Sequence, residues 1–187
     1  MKNCGFTLIE LIVTMAIVAI VATLAVPSYL TFIQNNRLAA QSNALITSLN
    51  IARSESVKRL ASTVANPNPR VTVCASSNGT ACSNANQWEL GWIVFVDLNA
   101  DGVVNPGTGA CLATEDCILQ VAGLLQGGNT LRSSGFANLF NVQYNTRGAL
   151  SSAGTFTLCD KRGVTNARAI NLNLTGRASQ RTAVSCP

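Results

Sequence analysis

Glu10 is the side chain in this sequence that most needs a chemical explanation. It is the only ionisable residue between positions 6 and 26, in a run otherwise built from Phe, Leu, Ile, Val, Ala, Met and Thr. A helix of that length rises about 30 Å, the thickness of a bilayer's hydrocarbon core. A carboxylate there costs a few kcal/mol unless it has a partner, so an acid in such a helix is by default a functional residue. The plainer alternative is a glutamate that snorkels to the interface.

Cysteine is the second chemical signal. Cys4 precedes the apolar run, whereas Cys74, Cys82, Cys111, Cys117, Cys159 and Cys186 follow it. Their spacing does not fit a zinc ribbon or finger, and the chain contains no histidine. Paired cysteines on a membrane-tethered domain point to an oxidising compartment. Local spacing favours Cys74 with Cys82, Cys111 with Cys117, and Cys159 with Cys186. Other pairings and buried free thiols stay open.

Asp97-Leu98-Asn99-Ala100-Asp101-Gly102 matches the opening of a calcium loop, with oxygens at alternate positions and a glycine for the sharp turn. Thr108 stands where a bidentate glutamate would complete the sphere, and no helix pattern flanks the loop. The expectation is therefore a polar turn whose carboxylates cap backbone amides, with Asp97, Asn99 and Asp101 as a weak metal candidate. No cofactor is expected. Catalysis finds no support, because no serine stands in a nucleophile elbow or beside a recognisable base.

The net charge of +5 is unevenly distributed. Arg132, Arg147, Lys161, Arg162, Arg168, Arg177 and Arg181 face a single acid, Asp160, in the last third of the chain. Between residues 60 and 131 the acids Glu89, Asp97, Asp101, Glu115 and Asp116 outnumber Arg70. Such asymmetry can make a basic face that attracts polyanions, since arginine contacts to phosphate release condensed counterions. In an extended tail Arg177, Ser179 and Arg181 would share one side. The alternative is a solvated basic surface that faces water or another subunit.

The elements that must position these groups follow from periodicity. At 187 residues, 48% hydrophobic and 11% charged, the chain has room for a helix and one head. Pro27 is expected to kink or locally unwind the helix that begins in the apolar run. Leu38, Leu45 and Ala52 recur every seventh residue with Leu49 between them, an apolar stripe for packing on the head. The helix should stop near Ala61, before Asn66-Pro67-Asn68-Pro69. Beyond Pro69, strand-like runs at 70–74, 92–97, 118–121, 141–144, 155–159 and 167–174 alternate with turn chemistry such as Asn78-Gly79 and Gly127-Gly128. The fold class is thus α+β: a long N-terminal helix, membrane-spanning in its first half, packed on an antiparallel sheet or small sandwich. The expected organisation is a leader at 1–5, a membrane and assembly helix at 6–27, an amphipathic helix at 28–61 and a β-rich head at 70–187.

Gly5-Phe6-Thr7-Leu8-Ile9-Glu10 at the head of an apolar helix resembles a prepilin leader junction. That resemblance implies cleavage after Gly5 by prepilin peptidase, N-methylation of Phe6, and a role for Glu10 in pairing with the freed amine of a neighbouring subunit. Cys4 would leave with the leader. In the head, Gly91-Trp92-Ile93-Val94-Phe95-Val96-Asp97, Thr155-Phe156-Thr157-Leu158-Cys159-Asp160 and Ala169-Ile170 through Gly176-Arg177 resemble the GspH/FimT family of minor pilins and pseudopilins. This implies a single-pass protein of the bacterial inner membrane with a periplasmic head, which joins other pilins or pseudopilins in a pilus or pseudopilus.

The FimT branch is associated with DNA uptake in natural transformation through a Gly-Arg-x-Arg tail motif. Gly176 and Arg177 match its first half. Ser179 replaces the second arginine and Arg181 follows two residues later, close enough to substitute by reach. The implied surface is Arg177, Arg181, Lys161, Arg162 and Arg168, binding double-stranded DNA without sequence preference. The alternative is a GspH-like pseudopilin of a type II secretion system, whose head contacts other pseudopilins or cargo.

Overall fold

The structure is a computed structural model and describes residues 5–58, 69–105, 116–182 and 185–186. Two compact units divide it, residues 1–36 and residues 37–187.

Helix α1 runs from Leu8 to Lys58 and supplies the whole of the first unit's regular structure. Thr7 caps it: the Glu10 amide donates to the Thr7 hydroxyl at 3.3 Å and the Leu11 amide to the Thr7 carbonyl at 3.2 Å. Pro27 lies inside α1, and the residues around it stay helical, so the local unwinding expected there does not occur. The hydroxyls of this segment turn inward onto the helix's own carbonyls: Thr14 to Leu11 at 2.8 Å, Thr23 to Ile20 at 2.7 Å and Thr31 to Pro27 at 3.0 Å. That arrangement gives these three hydroxyls acceptors within the helix itself. By length and composition α1 is able to cross a membrane, and its most apolar window is wholly exposed.

In the second unit, α1 presents Leu38, Ser42, Leu45, Ser48, Leu49, Ala52 and Ser56 as a buried stripe. The alternation of steps of four and three keeps them on one face. The expected stripe is all there; the serines between its leucines are small enough to let the sheets approach. Beyond Lys58 the expected helix end near Ala61 and the Asn-Pro repeat lie outside the described residues.

The head contains two four-stranded antiparallel sheets. In the first, β1 (Arg70–Ala75), β2 (Trp92–Asp97), β3 (Cys117–Ala122) and β5 (Asn141–Tyr144) stand in the order β3-β2-β1-β5. In the second, β4 (Thr130–Ser134), β6 (Gly154–Cys159), β7 (Arg168–Leu172) and β8 (Ala178–Thr182) stand in the order β4-β6-β7-β8. One core joins them to the helix: Leu38, Leu45, Leu49 and Ala52 pack with Val71, Val73, Trp92 and Val94 of the first sheet and Phe156, Leu158, Ile170 and Leu172 of the second. Trp88, on a short 3-10 turn before β2, meets Phe156 edge to face at a centroid distance of 4.7 Å. A smaller cluster, Cys74, Ile93, Phe95 and Val104, fills the other face of the first sheet beneath the Cys74–Cys82 bridge.

Two strands differ from the sequence reading. Thr130–Ser134, not among the strand-like runs read from the sequence, forms β4, and the run expected to reach residue 174 stops at Leu172, after which the chain turns and returns as β8. The stop is set by Asn173, whose carbonyl accepts from the Gly176 amide at 2.9 Å and whose side-chain oxygen accepts from the Arg177 amide at 3.0 Å. Gly176 takes φ +74 there, a conformation that glycine adopts without penalty.

Candidate functional site

At the N-terminal end, Phe6 is almost fully exposed and a Cβ on Gly5 would meet nothing. Glu10 occupies the third position of α1, where the free amide groups of the first turn favour a negative charge. An acid in the apolar run is therefore placed at the one point of the helix where the backbone offsets part of its cost.

Arg70 on β1 donates to Gln143 and Arg132 on β4 pairs with Glu89, while the basic residues of the sequence-expected surface divide between the two ends of β7 and β8. Arg177 lies in the β7–β8 hairpin, and Arg181 lies opposite Ala169 near the far end of β8. Four residue steps of extended chain separate the two arginines by roughly 13 Å. Ser179 and Arg181 share the outer face of the second sheet, lining an open cleft with Thr155 and Asn171.

The Arg181 end includes Lys161 and Arg162, in the turn after β6, and Arg168 at the start of β7. Arg162 is committed internally. Its guanidinium lies 2.6 Å from the Asp160 carboxylate, and both side chains are largely buried. Burial pushes the Asp160 carboxyl up, but hydrogen bonds from Arg162 and the charges of Arg162 and Lys161 outweigh it and hold the group below its ordinary range. Register places Arg168 on the inner face with Ile170 and Leu172, away from Arg181. Only Lys161 and Arg181 of this group are exposed.

The Arg177 end gathers residues that the sequence reading left apart. Arg147 precedes Gly148 in the turn after β5, and Gly176 packs directly on the Gly148 carbonyl. That carbonyl also accepts from Arg53 Nε of α1 at 3.3 Å. Arg53 thus reaches one of the two touching glycines, and Arg147 and Arg177, both exposed, are their chain neighbours. Among the described residues no carboxylate forms an ion pair with Arg147, Arg177 or Arg181. The signal that could have united them is the glycine following or preceding each arginine, which permits two turns to touch.

Two bridges join pairs of described residues in the head. Cys74–Cys82 has an S–S distance of 2.03 Å and Cys159–Cys186 one of 2.00 Å; the second ties the tail to the end of β6 beside Lys161. Cys117 is disulfide-bonded, while Cys111, its expected partner, lies outside the described residues, as does Cys4.

At the end of β2 the Asp97 side chain is fully buried. Its Oδ2 accepts from Thr72 Oγ1 at 2.9 Å, the Gly102 amide at 2.9 Å and Gln143 Nε2 at 3.0 Å. Burial pushes its carboxyl up, the Thr72 and Gly102 hydrogen bonds oppose this, and the Asp116 and Asp101 charges add to it. Among the described residues no three His, Cys, Asp or Glu side chains are grouped to hold a metal ion. The carboxylates do cap backbone amides, as the turn reading expects: Asp101 takes Val103 at 2.8 Å and Asp116 takes Leu98 and Asn105 at 2.9 Å each.

The model of the type II transport protein GspH matches residues 41–176, and a prokaryotic N-terminal methylation motif matches residues 1–26. The chain belongs to the GspH family. Its members are structural pilins and pseudopilins rather than enzymes. Two crystal structures of the type IV minor pilin FimU from Pseudomonas aeruginosa (strain PAO1) are similar to this GspH-family chain. One matches with a TM-score of 0.60 at 17% identity, covering 83% of this chain and 99% of that one. The other, in a second crystal form, gives 0.56 at 16% identity, with 80% and 99% covered. At such identities the likeness speaks for the fold: one long helix and two antiparallel sheets. No curated protein matches. The GspH match ends at Gly176, so Arg177 and Arg181 lie beyond it.

Proposed function

We propose that this chain is a FimT-like minor pilin, held in the bacterial inner membrane by α1 until assembly and contributing DNA capture to a type IV pilus. Prepilin peptidase removes residues 1–5 and methylates Phe6, and Glu10 meets the amine of Phe6 on a neighbouring subunit. The observation that carries the DNA reading is the Gly148–Gly176 contact, whose chain neighbours Arg147 and Arg177 are exposed and, among the described residues, without an ion-pair partner. Arg181 and Lys161 extend the surface along β8, and Arg162 holds the Asp160 loop instead of reaching for phosphate. Few aromatic side chains accompany these groups, so binding rests on phosphate contacts and tolerates any sequence.

The GspH-like alternative, a pseudopilin of a type II secretion system, has one observation in its favour: the family match stops before the basic tail. Fluorescence anisotropy of detergent-solubilised full chain with two duplexes of unrelated sequence separates the readings. Equal micromolar-range binding to both, weakened about tenfold or more by Arg147→Gln with Arg177→Gln, supports DNA capture, since each lost phosphate contact removes counterion release. Absence of binding at low salt favours the pseudopilin.

A further inference from the structure

The loop that follows β2 carries oxygen atoms at every second position. Asp97, Asn99, Asp101, Val103 and Asn105 stand at places one, three, five, seven and nine of a calcium loop, with Gly102 at place six. At place seven only the peptide carbonyl is needed, so valine is no obstacle. The chain takes left-handed conformations at Ala100, φ 62, and Gly102, φ 76, and the side-chain amides of Asn99 and Asn105 both donate to Asp101 Oδ2, at 2.8 and 3.2 Å.

The second observation is at Asp97 itself. All three of its donors, Thr72, Gly102 and Gln143, fall on Oδ2, one of them the amide that closes the loop. Oδ1 of the same fully buried carboxylate has no hydrogen-bond partner. A buried carboxyl oxygen left without a partner is costly, and a cation is a ligand that compensates it. The carboxylates of Asp101 and Asp116 lie near enough for their charges to act on Asp97, so negative charge is concentrated on the loop from both sides.

We propose that residues 97–105 bind one calcium ion through Asp97 Oδ1, the side-chain oxygens of Asn99, Asp101 and Asn105, and the Val103 carbonyl. Two of these donors are amides and one is a peptide carbonyl, so the site differs from a cluster of three acids. All are hard oxygens, which suits calcium over the softer transition metals. Flexible, partly hydrated coordination suits calcium over magnesium, which demands near-octahedral geometry. With no bidentate glutamate among these ligands the site is weak, within the range of about 10⁻⁴ to 10⁻³ M found for extracellular modules.

Isothermal titration of the detergent-solubilised full chain with calcium chloride, paired with melting in calcium, magnesium or chelator, tests this. The expected result is one calcium bound per chain, a higher melting temperature in calcium alone, and binding weakened about tenfold or more in Asp101→Ala and Asn99→Ala, because affinity follows ligand number and charge. Asp97 is too central to the fold to serve as the sole variant; Asp101 and Asn99 are at the surface and leave a cooperative melt in chelator. No binding up to about 10 mM calcium, an equal response to magnesium, or binding unaffected by both substitutions would overturn the proposal.

Discussion

Gly176 rests on the carbonyl oxygen of Gly148, so close that a Cβ at position 176 would collide with it. This contact sets the residue that precedes Arg177 against the residue that follows Arg147, although the two arginines are thirty positions apart in the chain. Gly176 also has φ +74. Gly176→Ala should therefore destabilise the chain by about 1–3 kcal/mol, the cost of a strained backbone residue plus the displaced turn. Thermal melting measures it, and an unchanged midpoint would mean that the two turns do not touch.

A second prediction concerns the helix–sheet interface within the head. Trp92 donates its indole N–H to the Ser48 hydroxyl at 2.9 Å, and both side chains are buried. Ser48→Ala leaves that donor without its acceptor, and chemical denaturation should show a loss of about 1–3 kcal/mol with an unchanged m-value.

Asp160 makes acid stability a test of the β6–β7 turn. Its folded pKa is depressed by Arg162 and Lys161. A depressed carboxyl stabilises the fold above its unfolded pKa, near 3.9, and that contribution is lost as pH falls through the lower folded value. Asp160→Asn should thus lower stability at pH 7 and flatten the acid limb of the pH–stability profile below about pH 4. A variant with the wild-type acid limb would assign the pair no role in stability.

Processing at the N-terminus is tested by intact mass. Protein from assembled filaments should begin at N-methylated Phe6, and Glu10→Ala should remain in the membrane fraction while failing to enter filaments, because the apolar span is untouched and only the charge is lost. Filaments that retain residues 1–5, or that accept Glu10→Ala at wild-type levels, would contradict the assembly reading.

The parts of this fold legible in the sequence are those where burial writes a pattern. The Leu38, Leu45, Leu49 and Ala52 stripe is buried as its spacing requires, and Arg70–Ala75 and Trp92–Asp97, at the middle of the first sheet, announce themselves by β-branched and aromatic residues. Thr130–Ser134 and Ala178–Thr182 are the two edges of the second sheet. Edge strands have less apolar surface to bury, so a sequence such as Ala-Ser-Gln-Arg-Thr carries little periodic signal. The Gly148–Gly176 contact beside Arg147 and Arg177 was hidden for a related reason: it depends on two turns meeting in space. Arg177 stands just before β8 opposite Asn173, whose amide donates to the Arg177 carbonyl at 3.3 Å, while Ser179 and Arg181 belong to the strand itself.

The central claim is that the Arg147–Arg177 pair contacts DNA phosphates. The most direct measurement is the salt dependence of duplex binding by the full chain and by the Arg147→Gln, Arg177→Gln variant. The account predicts that log K falls linearly with log salt and that the variant's slope is shallower by about one unit per arginine removed. Equal slopes for the two proteins, or no binding even at low salt, would contradict it and leave the head as a structural contact surface of a pseudopilin.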